Sequence, residues 1–107
     1  MGMAASGNIG DNQAFFEPVH GSAPKHAGQN KVNPIASINS IQMMMDWLGR
    51  KKSNDQMIQI GKLIDDSVAD HLKDGKNLTY DLGGKASCSF VGEGISSILA
   101  EKLAEQF

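Results

Sequence analysis

The chain has 107 residues, 40% of them apolar and 21% charged, with ten Lys+Arg against twelve Asp+Glu for a net charge of -2. That length supports one hydrophobic core, and the composition excludes a disordered chain. The near-balanced charge excludes the positive field that non-specific nucleic-acid binding needs, and no apolar run exceeds three residues, which excludes a membrane-spanning helix.

Cys88 is the only cysteine, so a disulfide framework and an all-cysteine metal site are excluded and a reducing, cytoplasmic location fits. The N-terminus has neither a basic nor an apolar stretch, so no secretory leader is expected. Residues 1–13 read as loop: Gly2, Gly7 and Gly10 tolerate positive φ, and Ser6, Asn8, Asp11 and Asn12 are turn formers. Ala14–Val19 is the first expected strand. Its adjacent Phe15 and Phe16 point to opposite sides, which suits a strand covered on both faces, and Pro18 ends it or puts it at an edge. His20–Val32 reads as loop, punctuated by Gly21, Pro24 and Gly28.

A helix is expected after Asn33, a suitable N-cap, with Pro34 in its first turn. Ile38, Ile41, Met45 and Leu48 form its apolar stripe, widened by Ile35 and Met44, and Gly49 is its expected stop. Met43, Met44, Met45 and Trp47 read as core packing rather than as a sticky groove. Ser53 and Gln56 form a capping box for a second helix, with Met57, Ile60, Ile64, Val68 and Leu72 on one face and Gly75 at its end. Asp65, Asp66 and Asp70 fall on the opposite, solvated face. Asn77–Leu82 is an expected short strand and Gly83-Gly84 a turn. Ser89 is the expected cap of a last helix that buries Ile95, Ile98, Leu99 and Leu103. The fold class is α/β, with about three helices and too few strands to complete a parallel sheet.

The chemistry lies in Glu17-Pro18-Val19-His20-Gly21-Ser22-Ala23-Pro24-Lys25-His26-Ala27-Gly28, which joins a strand to a helix. Gly21 and Gly28 let backbone approach a ligand, the His20 imidazole can stack on a flat base, and Lys25 and His26 offer positive charge to a phosphate. By spacing alone this segment lacks the Rossmann glycine fingerprint and the P-loop, and a glycine-rich surface turn is the default reading.

Co-linear blocks change that reading. Gly2-Met3-Ala4-Ala5-Ser6-Gly7-Asn8-Ile9-Gly10-Asp11 resembles the Gly-x-Ala-Pro-Ser-x-Asn-Ile-Gly loop of the β-decarboxylating dehydrogenases, the isocitrate and isopropylmalate dehydrogenase family, with Ala5 in place of the usual proline. Glu17 to Pro24, Ala27-Gly28, Asn33-Pro34 with Ser40 and Met43-Met44, and Thr79-Tyr80-Asp81-Leu82-Gly83-Gly84 resemble later blocks of the same family. The resemblance covers almost the whole chain. It implies that residues 1–107 are a C-terminal segment of the cofactor-binding large domain, without a second domain, whose sheet is incomplete on its own.

The resemblance also implies a dinucleotide site. The histidine at His20 packs on adenine, the backbone from Gly21 through Ser22 to Ala23, with Pro24, contacts the sugar-phosphate, Asn33 hydrogen-bonds adenine, and Glu17 lies toward the nicotinamide ribose. NAD-dependent members carry aspartate where this chain has Lys25. Lys25, His26 and Tyr80 instead match the NADP-dependent isocitrate enzymes, with His26 replacing a tyrosine and Lys85 the nearest substitute for an arginine that follows Tyr80. The implied cofactor is NADP ahead of NAD. The implied parent is a homo-oligomeric oxidoreductase that converts the small 2-hydroxy acid isocitrate to 2-oxoglutarate and CO2 with Mg or Mn.

The family's catalytic tyrosine and lysine and its metal-binding aspartates precede the block at Gly2, so no catalytic residue or metal ligand is assigned to this chain. On that basis the chain alone is expected to be inactive. Its partner is the remainder of the parent enzyme, with no nucleic acid and no membrane. Isopropylmalate, homoisocitrate and tartrate dehydrogenases using NAD are the alternative readings. A non-catalytic nucleotide-binding or assembly module is the rival from another class.

Overall fold

A computed structural model describes residues 2–107. The element order is β1 (Ala5–Ile9), β2 (Ala14–Pro18), α1 (Ile35–Lys51), α2 (Asp55–Asp74) and α3 (Cys88–Gln106), with short 3-10 turns at Pro24–His26 and Tyr80–Leu82. β1 and β2 form a two-stranded antiparallel sheet in which Ser6 faces Glu17 and Gly7 faces Phe16. α1 packs on this hairpin with one side and on α2 with another, and α2 packs on α3.

The strand at Ala5–Ile9 corrects the expected loop over residues 1–13; Met1, part of that expectation, lies outside the described residues. Gly7 and Asn8 have poor strand propensity, but pairing with β2 supplies the ladder that propensity does not. Gly7 has its own use here. A Cβ at this position would lie 3.0 Å from Phe16 Cε1, so the missing side chain makes room for the ring across the ladder. β2 is covered on one face only: Phe16 sits 6.2 Å from the Trp47 ring on α1, while Phe15 is 57% exposed. The expected second strand at Asn77–Leu82 is instead an extended approach to a 3-10 turn, closed by Gly83 at φ 85 and by Gly84 N–H donating to the Thr79 carbonyl.

The helix ends shift by one or two residues, each for a local reason. α1 begins at Ile35, with Pro34 in the cap position, and Asn33 Oδ1 accepts from the Ile35 N–H at 2.9 Å. Gly49 does not stop α1, which continues to Lys51. A Cβ on Gly49 would lie 2.6 Å from Ile58 Cγ1 and 2.8 Å from Ile58 N, so the glycine lets the start of α2 cross close to α1. Asn54, not Ser53, caps α2 by accepting from Met57 N–H, while Ser53 takes a left-handed φ of 51°. Gly75, at φ 68, closes α2 as expected. Ser87, not Ser89, caps α3 by accepting from Phe90 N–H.

Ile35, Val68, Val91 and Ile95 form the buried core, one or more from each helix, with Met3, Ile38, Leu72 and Ala86 packed around them. Asp65 is exposed, and Asp70 pairs with Lys102 of α3 at 2.9 Å, tying α2 to α3 on their solvent side. The stripe of α1 is covered only in part, with Ile41 51% and Met44 37% exposed. The radius of gyration is 14.6 Å, against about 13 Å for a compact chain of this length. The accessible surface is 6781 Å², against about 5,800 Å² for this mass. The molecule is a slab whose hairpin and outer helix faces lack a covering layer.

Candidate functional site

The loop that follows β2 is wound tightly. Val19 N–H extends the ladder by donating to the Ala4 carbonyl, and the chain then leaves the sheet at His20. His20 Nδ1 lies 2.7 Å from the Gly21 carbonyl oxygen. A carbonyl only accepts, so Nδ1 carries the proton in the neutral ring and Nε2 is left as an acceptor. Gly21 has open space where a Cβ would stand. Ala23 takes a left-handed φ of 48°, which turns the chain into the 3-10 turn at Pro24–His26. His26 N–H donates to Ala23, Ala27 N–H to Pro24 and Gln29 N–H to His26, while Gln29 Nε2 donates to the Lys25 carbonyl.

This loop meets the start of α1 and the Tyr80 turn around one solvent-open hollow of about 80 Å³, shallow against the roughly 300–1,000 Å³ typical of small-molecule clefts. His20, Gly21, Ser22, Ala23, Asn33 and Tyr80 line it, joined by Gly2, Val32 and Asp81, which sequence reasoning did not select for the site. Pro24, Lys25 and His26 lie beyond its rim on the 3-10 turn. Glu17 is exposed on β2 opposite Ser6 and does not line the hollow.

Asn33 is the most constrained of these residues. It is 6% exposed, its Nδ2 donates to Asp81 Oδ2 at 3.1 Å and to Met3 Sδ at 3.3 Å, and its Oδ1 accepts from Ile35 N–H. The side-chain amide is therefore committed inside the protein. Its main-chain N–H and C=O have no hydrogen-bond partner among the described residues. Asp81 is held in turn by Thr79 Oγ1, whose residue is 1% exposed. Gly2 closes the floor: a Cβ there would lie 2.7 Å from Asn33 Cβ, and its carbonyl accepts from Ala36 N–H at 2.7 Å.

Two nitrogen-bearing side chains stand at Tyr80. The His26 ring stands 5.2 Å from the Tyr80 ring, and Lys31 Nζ lies 5.4 Å from the Tyr80 centroid, so the phenol sits with an imidazole and an ammonium against it. His26 Nδ1 is buried without a partner among the described residues. Lys31 is the cation that sequence reasoning missed; nothing in its local sequence marks it. Lys85, expected near Tyr80, lines a different depression with Lys76, Asn77 and Phe90. The groups whose proton affinity is raised stand apart from this site: Arg50 through its hydrogen bond to Asp46, and Lys102 through its hydrogen bond to Asp70.

Residues 1–95 match the family model described as isocitrate/isopropylmalate dehydrogenase. The chain belongs to the isocitrate/isopropylmalate dehydrogenase family. It is 45% identical over 103 residues to the homoisocitrate dehydrogenase of Methanocaldococcus jannaschii, covering 96% of this chain and 27% of that protein. It is also 45% identical over 82 residues to the isocitrate dehydrogenase [NADP] of Haloferax volcanii, covering 77% of this chain and 18% of that protein. A crystal structure of a β-decarboxylating dehydrogenase from Thermococcus kodakarensis superposes with a TM-score of 0.79 at 40% identity, over 94% of this chain and 27% of that one. The chain thus spans about a quarter or less of the length of these family members. Its two strands and three helices are a partial domain of the isocitrate/isopropylmalate dehydrogenase fold. Among the described residues, no helix is long and apolar enough to cross a membrane.

Proposed function

We propose that this chain forms the adenosine side of the dinucleotide site of a cytoplasmic, homo-oligomeric β-decarboxylating dehydrogenase, and that the remainder of the parent enzyme supplies the reacting groups. The observation that carries this reading is the convergence of His20–Ala23, Asn33 and Tyr80 on one hollow. The residues fit the group. An exposed imidazole, a glycine with open space beside it and, at Asn33, a main-chain N–H and C=O without partners among the described residues suit a flat base with donors and acceptors on its edge. In this reading Asn33 recognises adenine through its backbone, since its side-chain amide is already used.

NADP is the favoured dinucleotide. His26 and Lys31 stand an imidazole and an ammonium against the Tyr80 ring, and Lys25 precedes His26 on the same 3-10 turn, so counter-charge for a 2′-phosphate is available beside the hollow. When bound, NADP⁺ supplies the hydride acceptor and a divalent cation (Mg or Mn) supplies Lewis acidity, the latter held by residues outside this chain. The favoured substrate is isocitrate, giving 2-oxoglutarate and CO2, with Pro24 and Ser22 shaping the sugar-phosphate path and Glu17 lying toward the nicotinamide ribose. Isopropylmalate, homoisocitrate or tartrate with NAD is the alternative.

The test is Lys25→Asp in the full-length parent, read as the ratio of kcat/KM for NADP⁺ to that for NAD⁺ at fixed ionic strength. Losing one charge-assisted hydrogen bond lowers that ratio roughly ten- to hundred-fold. Equal loss with both dinucleotides makes Lys25 structural, and a parent that already prefers NAD⁺ overturns the NADP assignment.

A further inference from the structure

Asn30 stands where the cofactor loop meets α3, and its bonds are unlike those of its neighbours. Between His20 and Val32, every other hydrogen bond among the described residues stays inside the loop. Among the described residues of the loop, Asn30 alone reaches another element by hydrogen bonds. Its carbonyl accepts from Cys88 N–H at 2.9 Å, its Oδ1 accepts from Ser89 N–H at 2.9 Å, and its Nδ2 donates to Ser89 Oγ at 2.8 Å. Its left-handed φ of 53° aims carbonyl and side chain at the same helix end.

The partners are the first two N–H groups of α3, which no intrahelical carbonyl can satisfy. Ser87 takes the next two, its Oγ accepting from Phe90 and its carbonyl from Val91. Half of the capping of α3 is therefore supplied by a residue 59 positions earlier. Asn30 also sits beside Lys31 and is linked through Gln29 to His26, the two residues that contact the Tyr80 ring.

We propose that Asn30 is the positioning residue of the dinucleotide site: by clamping the loop to α3 it sets where His26 and Lys31 stand, and hence dinucleotide affinity. This rests on the function proposed above. Asn30 does not line the hollow, so its effect passes through the loop.

The test uses the full-length parent with three variants. Asn30→Gly keeps the left-handed φ and the carbonyl bond to Cys88 but removes both side-chain bonds. Asn30→Asp keeps an acceptor for Ser89 N–H and takes the Ser89 hydroxyl as donor. Ser89→Ala removes only the hydroxyl. Asn30→Gly is expected to raise the dinucleotide Kd and KM roughly three- to thirty-fold, the range of a lost helix cap, with kcat and the hydroxy-acid KM within about two-fold. Asn30→Asp is expected to restore affinity to within about three-fold, and Ser89→Ala to cost about two- to five-fold. Hydrogen exchange at the Ser89 amide should quicken in Asn30→Gly and recover in Asn30→Asp.

Unchanged dinucleotide affinity in Asn30→Gly overturns this inference and leaves the proposed function standing. A loss that falls equally on kcat and on both substrates, without rescue by aspartate, also overturns it. A parent that binds no dinucleotide in any form overturns the proposed function, and this inference with it.

Discussion

Asn33 and Asp81 meet across 48 positions of sequence, the amide Nδ2 donating to the carboxylate at 3.1 Å in the wall of the hollow. The bond joins the start of α1 to the Tyr80 turn, so it fixes the distance between the two sides that a ligand would bridge. Asp81→Ala leaves a buried amide short of an acceptor and frees the Thr79 hydroxyl. The expected loss is about 1–3 kcal/mol of unfolding free energy, read by urea denaturation, together with weaker dinucleotide binding by the parent. Unchanged stability and binding would show that the turn is held without it.

Lys31 and Lys85 separate two readings of the positive charge. Lys31 stands 5.4 Å from the Tyr80 centroid, while Lys85 lines another depression. Lys31→Gln is expected to lower kcat/KM for NADP⁺ about three- to ten-fold more than for NAD⁺. Lys85→Gln is expected to leave that ratio unchanged. The reverse pattern would mean that the phosphate lies toward Lys85.

Adjacent glycines at the end of the Tyr80 turn should differ sharply. A Cβ on Gly84 would lie 2.0 Å from the Leu78 carbonyl oxygen, a backbone atom that moves only if the turn opens, whereas a Cβ on Gly83 would meet nothing within 4 Å. Gly84→Ala is expected to cost more than about 3 kcal/mol. Gly83→Ala meets only the left-handed strain of φ 85 and should cost about 1–2 kcal/mol. Paired denaturation curves decide it; equal losses would mean that the turn relaxes freely around Gly84.

The uncovered surface predicts how the chain behaves by itself. Ile9 is 61%, Phe15 57% and Ile41 51% exposed, and the hairpin has two unpaired edges. The purified 107-residue chain should self-associate or bind a hydrophobic dye, and should form no NADPH from isocitrate with Mg²⁺. A monodisperse monomer in sedimentation that binds no dye would count against the first expectation. Magnesium-dependent turnover would refute the second.

The helices were legible because their signals are local. Pro34 and Gly75 mark one start and one end, and Ile38, Ile41, Met45 and Leu48 on α1 and Ile60, Ile64, Val68 and Leu72 on α2 repeat at helical spacing. The starts slipped where two capping residues lie close together, as with Ser53 beside Asn54 and Ser87 near Ser89; which one caps depends on the path of the chain arriving there. β1 was illegible because Gly7 and Asn8 are poor strand formers, and the pairing that holds them comes from β2.

At the site, the glycines and histidine of the loop stood out in sequence, and the structure gathers His20–Ala23, Asn33 and Tyr80 around the hollow. The roles of Lys31, Asp81 and Gly2 did not stand out, because each depends on a partner tens of positions away. Asn33 shows the limit most clearly. The sequence marks it as a helix cap, and the resemblance as an adenine contact, but neither tells that its amide is consumed by Met3, Ile35 and Asp81.

The separations between the partners of the hollow carry a kinetic consequence. The hairpin and the α1–α2 pair join segments adjacent in sequence, so their loops close at little entropic expense. The hollow, with the loop beside it, is tied together by contacts of 30, 48 and 59 positions, at Met3–Asn33, Asn33–Asp81 and Asn30–Ser89. It is therefore expected to assemble after both hairpins and to open before them as denaturant rises. A molecule that binds only the closed hollow would draw the equilibrium toward the fully assembled chain, slowing the escape of α3 while leaving the exchange of α1 and α2 amides nearly untouched.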